Sequence, residues 1–239
     1  MYELYKKSGY RQIITLKIPE SISRKELMSW WFERAERIKN IGEINWYTVN
    51  FTLDSSPFGP PAFDGYEELW FSTLEDLKSA YNCDIMQEGF KKINEKGLND
   101  NKFMQAAWLE ENIVELKGYT KIPDSEGMVR LTGICKQPPN MSRKDLVDWF
   151  YQHAARIIDE EGRIIIPGIR WYTHSFSIES PFGESNINGC AENWWNSLGE
   201  IKSDFDGEVM KSQLEDREKA IDVVDPSYFQ GVWSDEYVI

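Results

Sequence analysis

Two stretches of the chain, 45–53 and 169–178, alternate apolar and polar residues as a strand with one buried face does. Residues 11–18 and 128–135 are short runs of β-branched and apolar side chains and also read as strands. Ser23 and Ser142 each open a helical pattern, and each is followed three residues later by an acid, Glu26 or Asp145. That spacing is a capping box, and the helices are expected to run to about Ile38 and Ile158. Segments 65–71 and 189–195 are third strands. Thr73 with Asp76, and Ser197 with Glu200, cap second helices. Residues 84–97 and 208–221 are further helical segments, and strands near 104–115 and 228–239 end each series. Ser56-Pro57-Phe58-Gly59 and Ser180-Pro181-Phe182-Gly183 are turns.

The two series are one pattern written twice. Ser23-Arg24-Lys25-Glu26-Leu27 returns as Ser142-Arg143-Lys144-Asp145-Leu146, 119 residues later. Trp46-Tyr47-Thr48 returns as Trp171-Tyr172-Thr173, and Gly65, Glu68 and Trp70 return as Gly189, Glu192 and Trp194. Order is kept and the offset drifts only by small insertions, as in a tandem duplication. The expected repeats are residues 1–119 and 128–239, joined by a linker from Gly118 to Gly127. Each repeat runs β-α-β-β-α-β, a ferredoxin-like unit of the α+β class with helices on one face of an antiparallel sheet. The uncovered faces lose roughly 25 cal/mol for each Å² left wet. Pairing the two sheets into an intramolecular dimeric α/β barrel is the expected solution.

Composition narrows the partners. With 27 basic and 40 acidic residues among 239, the net charge is −13. So acidic a surface disfavours nucleic acid and anionic membranes. No apolar run is long enough to span a bilayer, and the N-terminal MYELYKKSGYRQ lacks the apolar centre of a signal peptide. Three widely spaced cysteines, Cys83, Cys135 and Cys190, suggest no disulfide framework and fit a reducing cytoplasm. There is no Gly-rich phosphate loop, no nucleophile elbow and no H-x-x-x-H or H-E-x-x-H spacing. Two histidines with Glu192 are the one conceivable metal set, and haem has only a histidine to recommend it, so neither metal nor cofactor is expected.

The segment Phe63-Asp64-Gly65-Tyr66-Glu67-Glu68-Leu69-Trp70-Phe71-Ser72-Thr73-Leu74-Glu75-Asp76-Leu77 resembles the third-strand and second-helix signature of EthD-domain proteins, within the dimeric α/β-barrel superfamily. Ser142 to Leu146, followed by Trp149, His153, Ala154 and Ile157, resembles that family's first helix. The resemblance spans nearly the whole chain, once per repeat. It implies a family of decarboxylases, dehydratases and cyclases of aromatic or polyketide compounds, cofactor-free monooxygenases, and proteins without known activity. The first repeat departs from the pattern: Arg34 stands where the histidine would be.

Both histidines, His153 and His174, belong to the second repeat. Leu146, Phe150, His153 and Ile157 share one helical stripe, so His153 should face the sheet. His174 keeps step with Tyr172, Phe176 and Ile178, the more apolar side of its strand, which should face the helices. A pocket between helix and sheet is expected to hold His153 and His174 as acid and base with Tyr172 as hydrogen-bond donor; imidazole suits proton transfer because its unperturbed pKa is about 6.5. Trp149 and Trp171 are candidate pocket walls, and Arg34 and Tyr47 candidate substrate contacts in the first repeat. The structural alternative for Arg34, and the favoured one, is an ion pair with Glu67 or Glu68 or a long side chain snorkelling to the rim. Glu68 and Glu192 match in position but sit in different repeats and read as structural.

The activity expected first is a cofactor-independent lyase, decarboxylating or dehydrating a small aromatic or polyketide-like acid. A cofactor-free monooxygenase on a phenolic substrate is the alternative, and a non-catalytic small-molecule-binding or stress protein the third reading. A small-molecule substrate is the expected partner, and the fused pair leaves room for a further homo-oligomer.

Overall fold

A computed structural model describes residues 5–54, 59–100, 102–114, 128–160, 163–183, 185–217, 219 and 228–239. The first repeat comprises β1 (Tyr5–Leu16), α1 (Arg24–Ile38), β2 (Trp46–Thr52), β3 (Gly65–Phe71), α2 (Leu74–Asn82), α3 (Asp84–Glu95) and β4 (Met104–Val114). The second comprises β5 (Val129–Cys135), α4 (Arg143–Ala155), β6 (Trp171–Ile178), β7 (Gly189–Trp195), α5 (Leu198–Phe205), α6 (Glu208–Arg217) and β8 (Phe229–Val238). The expected joining segment, 118–127, and the start of the first Ser-Pro-Phe-Gly turn lie outside the described residues.

Local chemistry sets the helix starts. Ser23 with Glu26, Thr73 with Asp76 and Ser142 with Asp145 all form reciprocal capping boxes. Helix α4 stops at Ala155, three residues short of the expected Ile158, because Ile158 leaves the helix to bridge Ile164.

The strands close into one antiparallel barrel in the order β1-β3-β2-β8-β5-β7-β6-β4. Each repeat supplies a four-stranded sheet, and the seams are β2 on β8 and β4 on β6. Closure removes every sheet edge. No helix among the described residues is long and apolar enough to cross a membrane.

The outward face of the barrel carries the apolar parity and lies under the helices, as expected. In the first repeat Tyr47, Val49, Phe51 and Leu69 pack with Leu27, Trp31, Ala35 and Ile38 of α1. The inward face is layered. At one end Ile13, Tyr66, Leu109, Ile134, Cys190 and Val232 form a cluster drawn from both repeats. At the other end Trp171 and Trp194 pack with Met128 and Trp46.

Between these layers lies a wholly buried ion cluster. Arg11 pairs with Glu68 and Glu192, and Arg130 pairs with the same two carboxylates and, at 3.1 Å, with Glu236. The arrangement repeats about the pseudo-two-fold: Trp70 Nε1 donates to Glu111 at 3.0 Å, and Trp194 Nε1 to Glu236 at 2.9 Å. Burial opposes the charge of Arg130, but Glu68, Tyr66 and Glu236 outweigh it and hold its pKa above the ordinary value. The structural role read for Glu68 and Glu192 thus takes a specific form, since each carboxylate joins an arginine of its own repeat to one of the other.

Candidate functional site

The repeats differ under their first helices. In the first, Glu67 fills the space: its Oε2 accepts from Trp31 Nε1 and Tyr47 OH, each at 2.8 Å, and from Arg34. Tyr47 is 2% exposed and Arg34 5%. Arg34 and Tyr47, candidate substrate contacts by sequence, are therefore engaged with each other's carboxylate partner. Of the readings open for Arg34, the ion pair with Glu67 is the one formed.

The strand register shows what stands at the same places in the second repeat. Ile14 faces Glu67 across β1 and β3; Gly133 faces Ala191 across β5 and β7. Two small residues replace an isoleucine and a glutamate, and a cavity of about 70 Å³ remains between α4, α6 and the sheet. Gly133 also admits Phe229: a Cβ there would lie 2.5 Å from the ring. Ile157, Ile166, Ile169, Met210 and Leu214 make the wall apolar, and His153, Trp149 and Tyr172 line it.

Helix α4 carries His153 one turn beyond Trp149, and the rings stack with centroids 4.8 Å apart. His153 Nδ1 lies 3.1 Å from Asp216 Oδ2 on α6, and Asp216 Oδ1 also holds Arg156 at 2.6 Å. A carboxylate on Nδ1 fixes the hydrogen there and makes Nε2 the basic nitrogen. Tyr172 and His174 are joined, Oη to Nε2, at 2.7 Å.

His174 corrects one expectation. It is wholly buried, packed against Phe150 and Tyr172, and is not part of the cavity wall. Tyr172 stands between it and the space, and the two are in contact through the Tyr172 hydroxyl. Trp171 corrects another. Successive strand residues point to opposite faces, so it enters the barrel interior with Trp194 while Tyr172 faces the cavity. Of the residues picked from sequence for this pocket, His153, Tyr172 and Trp149 meet there; His174 stands behind them and Trp171 on the far side of the sheet.

Burial, with His153 adding to it, lowers the His174 pKa to about 3. The ring is neutral in the folded chain but takes a proton in the unfolded chain below about pH 6.5. Its contribution to stability is complete above that pH and is lost progressively as the pH falls toward 3. Between about pH 7 and pH 5 this single group is expected to remove about 2 kcal/mol, measured by urea unfolding. His174→Gln should flatten that limb by the same amount; an unaltered limb would contradict the assignment.

Asp216, Asn193, Gln213, Gly133 and Ala191 complete the site and were not picked from sequence. Aligning the repeats carries the signal for the last two, as Ile14 against Gly133 and Glu67 against Ala191. Asn193, 9% exposed, and Gln213, 5% exposed, line the cavity, and no Lys or Arg does so among the described residues. No group of three or more His, Cys, Asp or Glu able to hold a metal occurs among the described residues. A haem does not fit at His153: Trp149 stacks on one side of the ring, Asp216 holds Nδ1, and the space beside it is only about 70 Å³.

Solved structures with this architecture exist. The chain is similar to an anthrone oxidase-like protein, at 10% identity and a TM-score of 0.63, covering 98% of this chain and 96% of that one. The fold is a dimeric α/β barrel made from one chain. A monooxygenase-like protein from Lactobacillus acidophilus NCFM matches at 10% identity and a TM-score of 0.55, covering 97% of this chain and 96% of its own. An ethyl tert-butyl ether d (EthD) family protein from Bacillus halodurans C-125 matches at 18% identity and a TM-score of 0.36, covering 42% of this chain and 95% of its own. No family model matches the chain, and no curated protein matches it in sequence. At these identities the likeness is one of fold.

The cavity hangs on two small side chains. Ala191→Leu is expected to weaken binding of any small aromatic ligand by about 10–100-fold, through overpacking, while the far-ultraviolet circular dichroism stays unchanged. Undiminished affinity, measured by calorimetry, would place the ligand elsewhere.

Proposed function

We propose that the second repeat binds a small hydroxylated aromatic compound and oxidises it with O2 without a cofactor, the barrel of both repeats (residues 1–119 and 128–239) serving one site. The observation that carries this reading is a small, mostly apolar cavity with a carboxylate-held imidazole, His153, and a tethered phenol, Tyr172, on its wall. The anthrone oxidase-like and monooxygenase-like neighbours lend it support, as does the EthD-like signature of the chain. The lyase reading asks for an acid substrate, and among the described residues the cavity wall offers that acid no cationic side chain beyond His153 itself.

The chemistry follows from the residues. His153 takes the phenolic proton, and Asp216 stabilises the imidazolium that forms. Tyr172, bonded to neutral His174, is placed to hydrogen-bond a substrate oxygen. The phenolate is electron-rich enough to pass electrons to O2, and the apolar wall keeps water from competing for the anion. For a phenol with a ring hydrogen para to the hydroxyl, one oxygen atom enters the ring, the other leaves as water, and the product is a p-quinone. Phenol plus O2 then equals quinone plus water, with no other oxidant.

The test is an oxygen electrode with a panel of single-ring phenols, alongside an anaerobic control. Uptake of one O2 per quinone formed is expected. Turnover that persists without O2 would return the lyase to first place, and ligand binding with no turnover would make this a binding protein.

A further inference from the structure

Three buried polar atoms on residues of the cavity wall have no hydrogen-bond partner: Asn193 Oδ1, Gln213 Oε1 and Trp149 Nε1. Two are acceptors and one is a donor. Buried polar groups are rarely left so, and several on one apolar cavity are the imprint of something that fills it. The two amides are also peculiar to this repeat, whereas Trp149 answers to Trp30 of the first. Asn193 faces Tyr172 across β6 and β7, where Leu69 faces Tyr47 across β2 and β3. At the offset of 124 that relates Trp70 to Trp194, Gln213 of α6 answers to Gly89 of α3. The first repeat carries neither amide, and its own pocket, between α1 and α3, is lined by Arg34, Arg37, Lys92 and Lys96 instead, so general packing of the fold does not require the amides.

We infer that Asn193 and Gln213 are the specificity pair of the site, selecting an uncharged ring that bears two hydroxyl donors, with a carbonyl-type acceptor opposite Trp149. This rests on the reading of the cavity as a substrate site and adds the substrate class. Each amide oxygen takes one hydroxyl hydrogen, and Trp149 Nε1 gives its hydrogen to the acceptor. A carboxylate in the same space would meet two amide oxygens. The imidazole beside it already has Asp216 as a counter-charge. An acid is therefore rejected on electrostatic grounds, and an ether for want of hydrogens to give.

The experiment compares three ligands of one shape by calorimetry on the full chain: 3,5-dihydroxyacetophenone, 3,5-dimethoxyacetophenone and 3,5-dihydroxybenzoate. The dihydroxy ketone is expected to bind at least about tenfold more tightly than either of the others. This comparison needs no variant and so cannot be confused with misfolding. Asn193→Leu and Gln213→Met should each cost the dihydroxy ketone about tenfold and leave the dimethoxy compound unaffected. The inference is overturned if the ether or the benzoate binds as tightly as the diol, if no diol binds, or if both variants weaken all three ligands alike. Oxygen uptake is measured separately. Discrimination without uptake would keep the specificity pair and end the oxidase reading; uptake without discrimination would do the reverse.

Discussion

His153→Ala is expected to lower turnover by about 10²–10⁴-fold, the range for removing a positioned general base. His153 is the imidazole on the cavity wall, and Asp216 is what makes it useful there. The loss should fall on kcat more than on KM, because ligand affinity resides largely in the apolar wall and the amides. Asp216→Asn should give a smaller loss and move the acid limb of the pH profile, since the imidazolium loses its counter-charge. Steady-state oxygen uptake over a pH series measures both. An unchanged kcat in His153→Ala, with the variant folded, would remove this residue from the mechanism.

The second large effect concerns stability. Arg130→Met is expected to cost about 3–5 kcal/mol, because it takes the cation from Glu236 and leaves the buried Glu68 and Glu192 to share Arg11 alone. For a chain of this size that corresponds to a fall in Tm of about 6–20 °C by calorimetry. Adding Glu192→Gln to that variant removes one stranded charge and should return roughly 1 kcal/mol. A buried ion cluster is weak evidence of net stabilisation, since a well-packed apolar replacement of the whole set can match it. Its distinctive property is reach: Arg11 of the first repeat meets Glu192 of the second, and Arg130 meets Glu68. We read it as a register lock between the sheets. A drop in Tm of less than about 2 °C would contradict that reading.

Much of this architecture was legible in the chain. The repeated Ser-Arg-Lys-acid-Leu and Trp-Tyr-Thr segments gave the duplication, and the alternation in 45–53 and 169–178 gave the faces. A bare sheet face on each repeat then made the barrel the natural outcome. Where expectation failed, the reasons are geometric. Trp171 was assigned to the pocket by nearness in sequence to Tyr172, yet pleating sends neighbours to opposite sides. His174 has the right parity, but depth behind Tyr172 is set by packing against Phe150, which no periodicity reports. Asp216 reaches His153 from a helix more than sixty positions away, a contact invisible to local pattern. The ion cluster needed the register of both seams, because matching positions alone do not say that Glu68 and Glu192 meet. The cavity was the most readable of the missed features: Glu67 against Ala191, set side by side in the aligned repeats, shows that the place a carboxylate takes up on one sheet is left open on the other.

The most direct measurement is a crystal structure of the full chain soaked with 3,5-dihydroxyacetophenone. The ring should lie between α4 and the sheet of the second repeat, within hydrogen-bond distance of His153 and Asn193, with nothing bound beside Glu67 in the first. A ligand seated elsewhere, or a cavity still empty at concentrations that saturate binding in solution, would contradict the account.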